Sequence, residues 1–448
     1  MKSRFSLPGG RFIKHVARCL DTTQILVAGY ALYMLAGFAL LSLPFAQESR
    51  ISILDNLFVA VSAVSTTGLV TVDPGSSYTM FGEIVLAALM QLGGIGYMTV
   101  GSFVALSISH KLSRFREKMA RTAYSLPEGF DPARFITMVI IFTLTCEAIG
   151  ATILYFAFAA AGEERPLWSA IFHSISAFCT AGFSLNANSF EDYRANAAVT
   201  LTIATLSYFG AVGFIVLSEV WECAILRKRP FRFTTIVILR VTLIFSLVGT
   251  TLFFLFEPSI AGFGLWERFL AAFFQVMTAT TTVGFNTVPI GALAPAAIVL
   301  LYGLMIFGAS PSGTGGGLKS TTLAVMIGVM ASVLTRRSTI QVMRRELAPD
   351  RIYQAAASVA FYFLVLATVL FALLLVQQGS FEEILFEAIS AFGTVGLSMG
   401  ITGSLSDPGK LLIILLMIIG RAGVLTFGLA IAARDNAPAQ KGDNELVL

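Results

Sequence analysis

The sequence predicts an all-α polytopic membrane protein in which four helix–pore loop–helix repeats surround a pseudo-fourfold central pore. Three observations lead to this prediction: the composition is strongly apolar, several apolar runs are long enough to cross a bilayer, and one short polar turn recurs along the chain. Of the 448 residues, 56% are hydrophobic and 12% are charged. Soluble proteins of this length carry about a quarter charged residues, so the composition argues against a large soluble enzyme.

The long apolar runs supply the membrane-spanning helices. A helix needs about 20 apolar residues to cross the hydrocarbon layer. Clear runs of this length are Gln24–Phe45, Phe135–Ala161, Thr234–Phe256, Ala355–Val376 and Leu411–Ala433. No small-residue cleavage site follows the first run, so we expect it to be a permanent helix rather than a signal peptide.

A fourfold internal repeat organises the chain. The aligned segments are "FVAVSAVSTTGLVTVD" (58–73), "FHSISAFCTAGFSLNA" (172–187), "FFQVMTATTTVGFNTV" (273–288) and "FEAISAFGTVGLSMGI" (386–401). Their glycines, Gly68, Gly182, Gly284 and Gly396, are spaced by 114, 102 and 112 residues. Such a recurring period indicates repeated structural units, each with a spanning run before the turn and another after it. Two spans per unit predict eight transmembrane helices.

A medium apolar segment precedes each turn and is too short to span the membrane. These segments, predicted to be re-entrant pore helices, are Ile53–Val64, Trp168–Phe178, Leu265–Ala279 and Phe381–Phe392. The turns could alternatively be small-residue packing notches between helices. Non-helical backbone at membrane depth is tolerated only where it is buried in protein or faces water, and four turns in register favour a pore.

Basic residues indicate the orientation. They concentrate in the N-terminal stretch, the links between repeats and the C-terminal tail, whereas the segments flanking the turns hold few. Positive charge marks the cytoplasmic side, so both termini are predicted to be cytoplasmic and the turns to open outward. The predicted order is an N-terminal tail (1–20), repeat 1 (21–109), a link (110–134), repeat 2 (135–226), a link (227–233), repeat 3 (234–335), a link (336–350), repeat 4 (351–433) and a C-terminal tail (434–448).

The turns have the chemistry of a cation filter. A dehydrated cation needs oxygen ligands, and potassium channels supply them as rings of backbone carbonyls from TVGYG loops. Glycine permits the left-handed backbone that aims successive carbonyls inward, and each turn has a threonine two residues before its glycine. No turn has the full channel motif, so we expect fewer stacked ion sites. The predicted ion-binding residues are Thr66, Thr67, Gly68, Thr180, Ala181, Gly182, Thr282, Val283, Gly284, Thr394, Val395 and Gly396.

Several carboxylates lie near the predicted pore helices. Asp55, Glu382 and Glu383 fall near the helix N-termini, where the helix dipole favours an anion. Glu387 lies one turn deeper in the fourth pore helix. We expect Glu387 to brace the fourth turn through backbone N–H groups.

The whole chain resembles the membrane subunit of the Ktr/Trk/HKT superfamily of potassium transporters, and its length and layout are most similar to the KtrB-type members. The resemblance rests on the four turns, on "FGTVGLS" (392–398) and on "GASPSGTGGGLKSTT" (308–322). Sodium-favouring plant members have serine at the first filter glycine, where Gly68 matches the potassium-selective pattern. Cys179-Thr180-Ala181 departs from the Cys-Asn-Ala that relatives often have, which alters side-chain detail but not the carbonyl ring.

The resemblance also implies partners. It implies a homodimer in the bacterial inner cell membrane, docked on a cytosolic ring of nucleotide-binding, RCK/KtrA-like regulatory subunits. Nothing in this chain resembles a nucleotide fold, so control by ATP or ADP would come from that partner. The basic links could instead bind anionic lipid head groups. Potassium is the expected substrate and sodium a candidate activator, and neither a cofactor in this chain nor a nucleic-acid partner is expected.

The segment 308–322 is predicted to be a gate. Its glycines and Pro311 cannot continue a helix without high cost, although apolar runs flank it on both sides. A phosphate loop would need Gly, Lys and Ser adjacent, whereas Leu318 separates Gly317 from Lys319. The resemblance implies an intramembrane loop that obstructs the pore beneath the filter, with Gly313, Gly315, Gly316, Gly317, Lys319 and Arg421 as the gate residues.

Lys319, Arg421 and Glu147 are charged residues within or beside apolar runs. Lys319 either repels a cation near the pore axis or snorkels to the cytoplasmic interface. A buried arginine in a membrane costs about 2.5–3.5 kcal/mol or more and usually faces a polar interior, so we expect Arg421 to form an electrostatic barrier and to contact the gate loop. The partner of Glu147 is not readable from the sequence.

Two transport mechanisms and one other class remain to be compared. The first is passive, channel-like permeation of potassium, which we favour. The second is a symporter that couples potassium to sodium or protons; many such transporters use inverted repeats, whereas these repeats run in the same direction. An enzyme is not indicated, because no acid–base, nucleophile or metal spacing occurs. The four cysteines are scattered singly, as are the three histidines, at Cys19, Cys146, Cys179, Cys223, His15, His110 and His173.

Overall fold

The computed structural model describes residues 22–96, 131–225 and 231–431, together with residues 99, 102, 106 and 117. Both predicted tails, most of the first link and residues 227–230 of the second link lie outside these residues. The regular secondary structure of the described part is helical except for one short hairpin.

The helices follow one another with short connections. Apart from single turns, they are α1 (Thr22–Leu41), α2 (Ile53–Ser65), α3 (Met80–Ile95), α4 (Pro132–Ala161), α5 (Pro166–Phe178), α6 (Ala197–Val212), α7 (Phe214–Val220), α8 (Phe233–Phe256), α9 (Leu265–Thr281), α10 (Pro295–Phe307), α11 (Ser320–Leu334), α12 (Pro349–Val376), α13 (Phe381–Gly393), α14 (Asp407–Ala422) and α15 (Val424–Ile431).

Some of these helices are long enough to span a membrane. Among the described residues, α4, α8 and α12 are long and apolar enough to cross a membrane, and α6 with α7 makes a fourth span if their 100° bend is counted as one path. Helices α3, α10 and α11 are apolar but shorter. The total of eight spans therefore stays a prediction.

Four short helices, α2, α5, α9 and α13, occupy the four medium segments. Serines begin two of them: Ser52 accepts a hydrogen bond from the Asp55 N–H, and Ser380 forms a capping box with Glu383. Both arrangements satisfy N–H groups that the first helical turn leaves free. The carboxylates of Asp55 and Glu383 thus lie at helix N-termini, as the sequence indicated.

Glycines end most of the helices that follow the turns. Gly96, Gly213 and Gly423 have φ values of 86°, 98° and 87° and terminate α3, α6 and α14. The expected single span Leu411–Ala433 is therefore wrong, because Gly423 separates α14 from α15. A lone glycine inside a helical pattern is usually tolerated, so the sequence predicted such a break only in the glycine-rich segment of repeat 3.

The first helix is also shorter than its apolar run. Helix α1 ends at Leu41, and Phe45 lies in the 3₁₀ turn Pro44–Ala46. Proline has no N–H to donate to the preceding helical turn, so the helix stops before Pro44.

The short helices form the buried core. Phe58, Phe172, Phe274 and Phe386 each precede a turn glycine by ten residues, and each is fully buried. Large aromatic side chains at one repeated position fix the depth of each short helix against its neighbours. The core therefore lies around the four turns.

The hairpin lies in the predicted link 336–350. Strand β1 (Gln341–Val342) pairs antiparallel with β2 (Arg345–Glu346), and Met343 and Arg344 between them have positive φ. Consecutive positive φ values are typical of a tight type I′ turn. The exposed ends of the hairpin carry Arg337, Arg344 and Arg345.

Candidate functional site

The four turns share one backbone conformation. In each turn the threonine two residues before the glycine has φ between 50° and 56°, and the glycine has φ between 69° and 93°. These residues are Thr66, Thr180, Thr282, Thr394, Gly68, Gly182, Gly284 and Gly396. The residue between each threonine and its glycine donates its N–H to a carbonyl of the preceding helix, at 2.8–3.1 Å. Left-handed threonine is uncommon, and the sequence predicted positive φ only for the glycines.

The glycines bring the four turns together in a closed cycle. A Cβ added to Gly68 would collide with the carbonyl oxygen of Ala181, and one added to Gly182 would collide with that of Val283. In the same way Gly284 abuts the Val395 carbonyl, and Gly396 abuts that of Thr67. Each turn therefore contacts the next in chain order, and the last contacts the first. All twelve predicted ion-binding residues belong to this cycle.

A second set of glycines packs behind the turns. A Cβ at Gly93, Gly210, Gly308 or Gly420 would collide with a carbonyl oxygen at the end of a short helix, that of Val64, Phe178, Thr280 and Phe392 respectively. The sequence analysis missed this layer. Its signal was present, because every repeat has a glycine 24–28 residues after its turn glycine.

A cavity of about 520 Å³ opens on the side of the chain segments that follow the glycines. All four turn glycines line it, together with the carboxylates of Asp73 and Glu191. The Glu191 carboxylate accepts a hydrogen bond from Asn286 Nδ2 at 2.8 Å. Burial raises the pKa of Glu191, although the Asn286 hydrogen bond opposes this shift.

On the opposite side of the cycle, the glycine-rich loop touches the left-handed threonine of every turn. Thr314 accepts from Thr66 Oγ1 at 3.2 Å through its carbonyl and lies 2.9 Å from Thr180 Oγ1 through its hydroxyl. The Gly316 N–H donates to Thr394 Oγ1 at 2.8 Å, and a Cβ on Gly315 would collide with Thr282 Oγ1. Residues 314–316 therefore cover the threonine side of the cycle.

Lys319 and Arg421 hold this loop through hydrogen bonds to its carbonyls. Lys319 Nζ donates to the carbonyls of Gly315 and Gly316 at 2.8 and 3.3 Å. The Lys319 side chain thus folds back onto the loop that precedes it. The Arg421 guanidinium donates to the Thr314 carbonyl, to Thr66 Oγ1 at 3.0 Å and to the Gly93 carbonyl.

Gly313 and Gly317 anchor the two ends of the covering segment. A Cβ on Gly313 would collide with the Ala211 carbonyl, and the Gly317 N–H donates to the Gly420 carbonyl at 3.2 Å. The Thr314 N–H donates to the Gly210 carbonyl at 3.1 Å. The loop is therefore held between the glycine layers of repeats 2 and 4.

Glu147 has its partner in another repeat. Its carboxylate accepts a hydrogen bond from Gln91 Nε2 at 3.1 Å, and Cys179 lies beside both side chains. Gln91 belongs to α3 and Glu147 to α4, so this buried contact joins repeat 1 to repeat 2. Such a pairing between distant segments could not be read from the sequence.

The oxygen-rich turns differ from a conventional metal centre. Within the described ranges, no group of three or more His, Cys, Asp or Glu side chains could hold a metal ion. The oxygens brought together are main-chain carbonyls and threonine hydroxyls, and Thr282 Oγ1 has no hydrogen-bond partner in the described part of the chain. Hard monovalent cations prefer such neutral oxygen ligands.

Comparison with known proteins places the chain among cation transporters. The model of the TrkH family, described as a cation transport protein, matches residues 21–439. The Ktr system potassium uptake protein B of Vibrio alginolyticus is 36% identical over 420 residues, which cover 91% of each chain. The protein of the same name from Bacillus subtilis is 33% identical and covers 94% of this chain and 96% of its own length.

A solved structure shares the fold. The crystal structure of the potassium transporter TrkH from Vibrio parahaemolyticus superposes with a TM-score of 0.71 and covers 92% of this chain and 85% of its own. The two sequences are 21% identical over this match, so the likeness supports the fold alone.

Proposed function

Because the chain belongs to the TrkH family of cation transport proteins, we propose that it is the potassium-translocating subunit of a bacterial uptake system. The family and its apolar helices make it a multi-pass membrane protein. Relatives named as potassium uptake proteins, at 33–36% identity over nearly the whole chain, support potassium as the ion. The family is not one of enzymes.

The observation that carries the proposal is the closed cycle of four turns. Each turn glycine lies against a carbonyl of the next turn, and we infer from this cycle that main-chain oxygens of the four repeats face one axis. A ring of carbonyl oxygens replaces the hydration shell of a potassium ion. We therefore assign the four short helices as pore helices and the four turns as the selectivity filter, with the cavity beyond the glycines as its entrance.

The glycine-rich loop is proposed to be a closed gate. Residues 314–316 contact the threonine of every turn and so occupy the path by which an ion would leave the filter. Lys319 and Arg421 add positive charge beneath the same path. Conduction then requires the loop to move, which its glycines permit.

Passive permeation is the favoured mechanism, and coupling to sodium or protons is the alternative. A coupled transporter needs a second ion site, and within the described residues no carboxylate lies among the filter oxygens. Glu147, the carboxylate within the first helix of repeat 2, is paired with Gln91. Reversal potentials measured under opposed potassium, sodium and proton gradients distinguish the two mechanisms.

The partners and the location follow from the family and the charge pattern. We propose a homodimer in the inner cell membrane with both termini cytoplasmic. The exposed arginines of the hairpin and its neighbours would face the cytoplasm, where a nucleotide-binding, RCK-like ring would dock. Such a ring would supply the nucleotide control that this chain lacks.

The filter is tested by replacing one of its glycines. Gly284→Ser places a side chain at φ 91° and against the Val395 carbonyl, so it should displace the ring. In a bacterium that lacks potassium uptake, the wild-type chain should restore growth at low external potassium, and the variant should lose that rescue or its preference for potassium over sodium.

A matched control isolates the site. Gly262→Ser adds the same side chain at a position where a Cβ meets nothing within 4 Å, so it should rescue like the wild type. Full rescue by Gly284→Ser with unchanged selectivity would overturn the filter assignment.

A further inference from the structure

One position of each short helix faces the chain that leaves the turn. It lies nine residues before the turn glycine and is occupied by Val59, His173, Gln275 and Glu387. All four side chains are at most 1% exposed. Three of them can form hydrogen bonds, and the fourth, Val59, cannot.

His173 holds the segment that follows the second turn. Its Nδ1 lies 2.8 Å from the Ser169 carbonyl oxygen, which can only accept, so Nδ1 carries the proton. Nε2 then accepts a hydrogen bond from the Leu185 N–H at 3.3 Å and faces Ser184 Oγ at 3.0 Å. Both partners lie two or three residues beyond Gly182.

Gln275 and Glu387 make the corresponding contacts in repeats 3 and 4. Gln275 Oε1 accepts from the Thr287 N–H at 3.3 Å. The Glu387 carboxylate accepts from Ser398 Oγ at 2.8 Å and from the Thr402 hydroxyl. The expectation that Glu387 would use backbone N–H groups is therefore wrong, because two hydroxyls reach both of its oxygens.

We infer that His173, Gln275 and Glu387 are positioning residues that set the ion preference of the filter. This inference rests on the proposed function. Each side chain forms a hydrogen bond to the outward limb of its turn, by which we mean the segment two to six residues past the glycine. This contact ties the limb to a rigid helix and so limits how far the turn carbonyls can move. None of the three contacts the ion path itself, so they act through the turns.

Packing alone does not explain the polar residues. Val59 fills the same buried position in repeat 1 without a hydrogen bond, so an apolar side chain is sterically acceptable there. Burying a polar or charged group is costly unless it is hydrogen-bonded, and Gln275 Nε2 has no hydrogen-bond partner in the described part of the chain. The polar contact to the corresponding limb in each of three repeats therefore points to a geometric role.

In repeat 1, therefore, the side chain at this position, Val59, makes no hydrogen bond to the limb that follows the turn. Any difference between the limbs that arises at this position therefore concerns repeat 1. Repeat 1 also supplies Thr66, the threonine that Arg421 contacts from below. The limb without this hydrogen bond thus belongs to the repeat whose threonine contacts Arg421.

The test compares ion preference with stability in the full-length chain. His173→Val reproduces the residue of repeat 1, and in proteoliposomes it should lower the potassium-to-sodium flux ratio about three- to tenfold, the factor carried by one lost hydrogen bond. His173→Gln reproduces the residue of repeat 3 and should restore most of the ratio. Val59→Ala, which loses packing but no hydrogen bond, should lower the melting temperature and leave the ratio unchanged.

Two further variants make each outcome decisive. Glu387→Gln keeps the side-chain volume and removes one of two acceptors, so it should shift the ratio even where His173→Val does not assemble. Gly284→Ser is measured beside it as the filter control. If Gly284→Ser changes the ratio while the His173 and Glu387 variants keep the wild-type value, the positioning role is refuted and the filter stands. If Gly284→Ser also keeps that value, the proposed function fails first.

Discussion

The ring of turns and the layer directly beneath it differ in symmetry. The four turns share their threonine and glycine conformations and contact one another in the same way around the cycle. In the layer beneath, the residue that follows the packing glycine is Gly94, Ala211 and Ala309 in three repeats, but Arg421 in the fourth. Among the described segments, only the third repeat inserts a loop of this length, 308–319, between the two helices that follow its turn.

This difference teaches which parts of a fourfold repeat can diverge. In the proposed filter, a cation bound on an axis needs oxygens from all sides at equal distances, so the turns must stay alike. The proposed gate needs only one inserted segment and one anchor, so the layer beneath is free to differ. Small residues in three repeats leave room for the long arginine of the fourth.

The largest effect is expected from removing the anchor. Arg421→Ala deletes donors to the Thr314 and Gly93 carbonyls and to Thr66. Hydrogen bonds from a charged group contribute about 1.5–3 kcal/mol each, so loss of one should already shift the loop equilibrium about tenfold. Basal potassium flux in proteoliposomes without a regulatory partner should therefore rise, while the assembly state stays unchanged.

The conservative replacement sharpens this result. Arg421→Lys keeps the positive charge but lacks the planar fork that reaches two sets of acceptors at once. If the contacts hold the loop, this variant should conduct more than the wild type and nearly as much as Arg421→Ala. If only the charge matters, it should behave like the wild type, and unchanged transport in both variants would contradict the role of Arg421.

The turns were predictable from the sequence because their information is local. A threonine and, two residues later, a glycine end each short apolar segment, and the repeat period shows that this pattern occurs four times. The short helices were located for the same reason, since a medium apolar segment precedes each turn. The family resemblance added the loop 308–322 and Arg421.

Contacts between segments that are separated along the chain, within one repeat or between two, were not predictable. Glu147 meets Gln91, and Glu387 meets Thr402, through pairings that depend on how the helices pack. Gly213 and Gly423 look like ordinary helical glycines, and only the packed structure shows that they end α6 and α14. Sequence periodicity describes one helix at a time, so it carries no information on such pairings.

A second, smaller effect is expected from breaking a buried ion pair between two repeats, compared with an exposed one. Lys410 in α14 pairs with Asp55 in α2 at 2.7 Å, with side chains only 12% and 15% exposed, and so joins repeat 4 to repeat 1. Lys410→Met leaves a half-buried carboxylate without its cation, and the expected loss is about 1.5–3 kcal/mol. The melting temperature in detergent should fall by several degrees.

The exposed counterpart provides the control. Arg194 pairs with Glu267 at 2.7 Å between repeats 2 and 3, with side chains 44% and 27% exposed. Exposed ion pairs contribute only about 0–1 kcal/mol, so Arg194→Met should change the melting temperature much less. Equal losses in the two variants would show that the ring is not held more tightly where repeat 4 closes on repeat 1.

The smallest effect concerns the entrance cavity, whose carboxylates distinguish it from the positively charged layer below the turns. In water, a unit charge about 10 Å away contributes roughly 0.4 kcal/mol, which is about a twofold change in local cation concentration. Glu191→Gln keeps an oxygen to accept from Asn286 but removes the charge. Potassium flux at low ionic strength should therefore fall about twofold, and the difference should vanish in about 1 M salt, where the screening length is roughly 3 Å.

The same carboxylate gives this effect a pH dependence of known sign. Burial raises the pKa of Glu191; the Asn286 hydrogen bond and Arg194 lower it, whereas Asp192 raises it further. The charge is present above the pKa and lost below it, so wild-type flux at low ionic strength should decline as the pH falls through the raised pKa. Glu191→Gln should lack this component at every pH, whereas Glu164→Gln, an exposed carboxylate outside the cavity lining, should retain it. An identical pH profile for wild type and Glu191→Gln would show that the entrance does not concentrate cations through this residue.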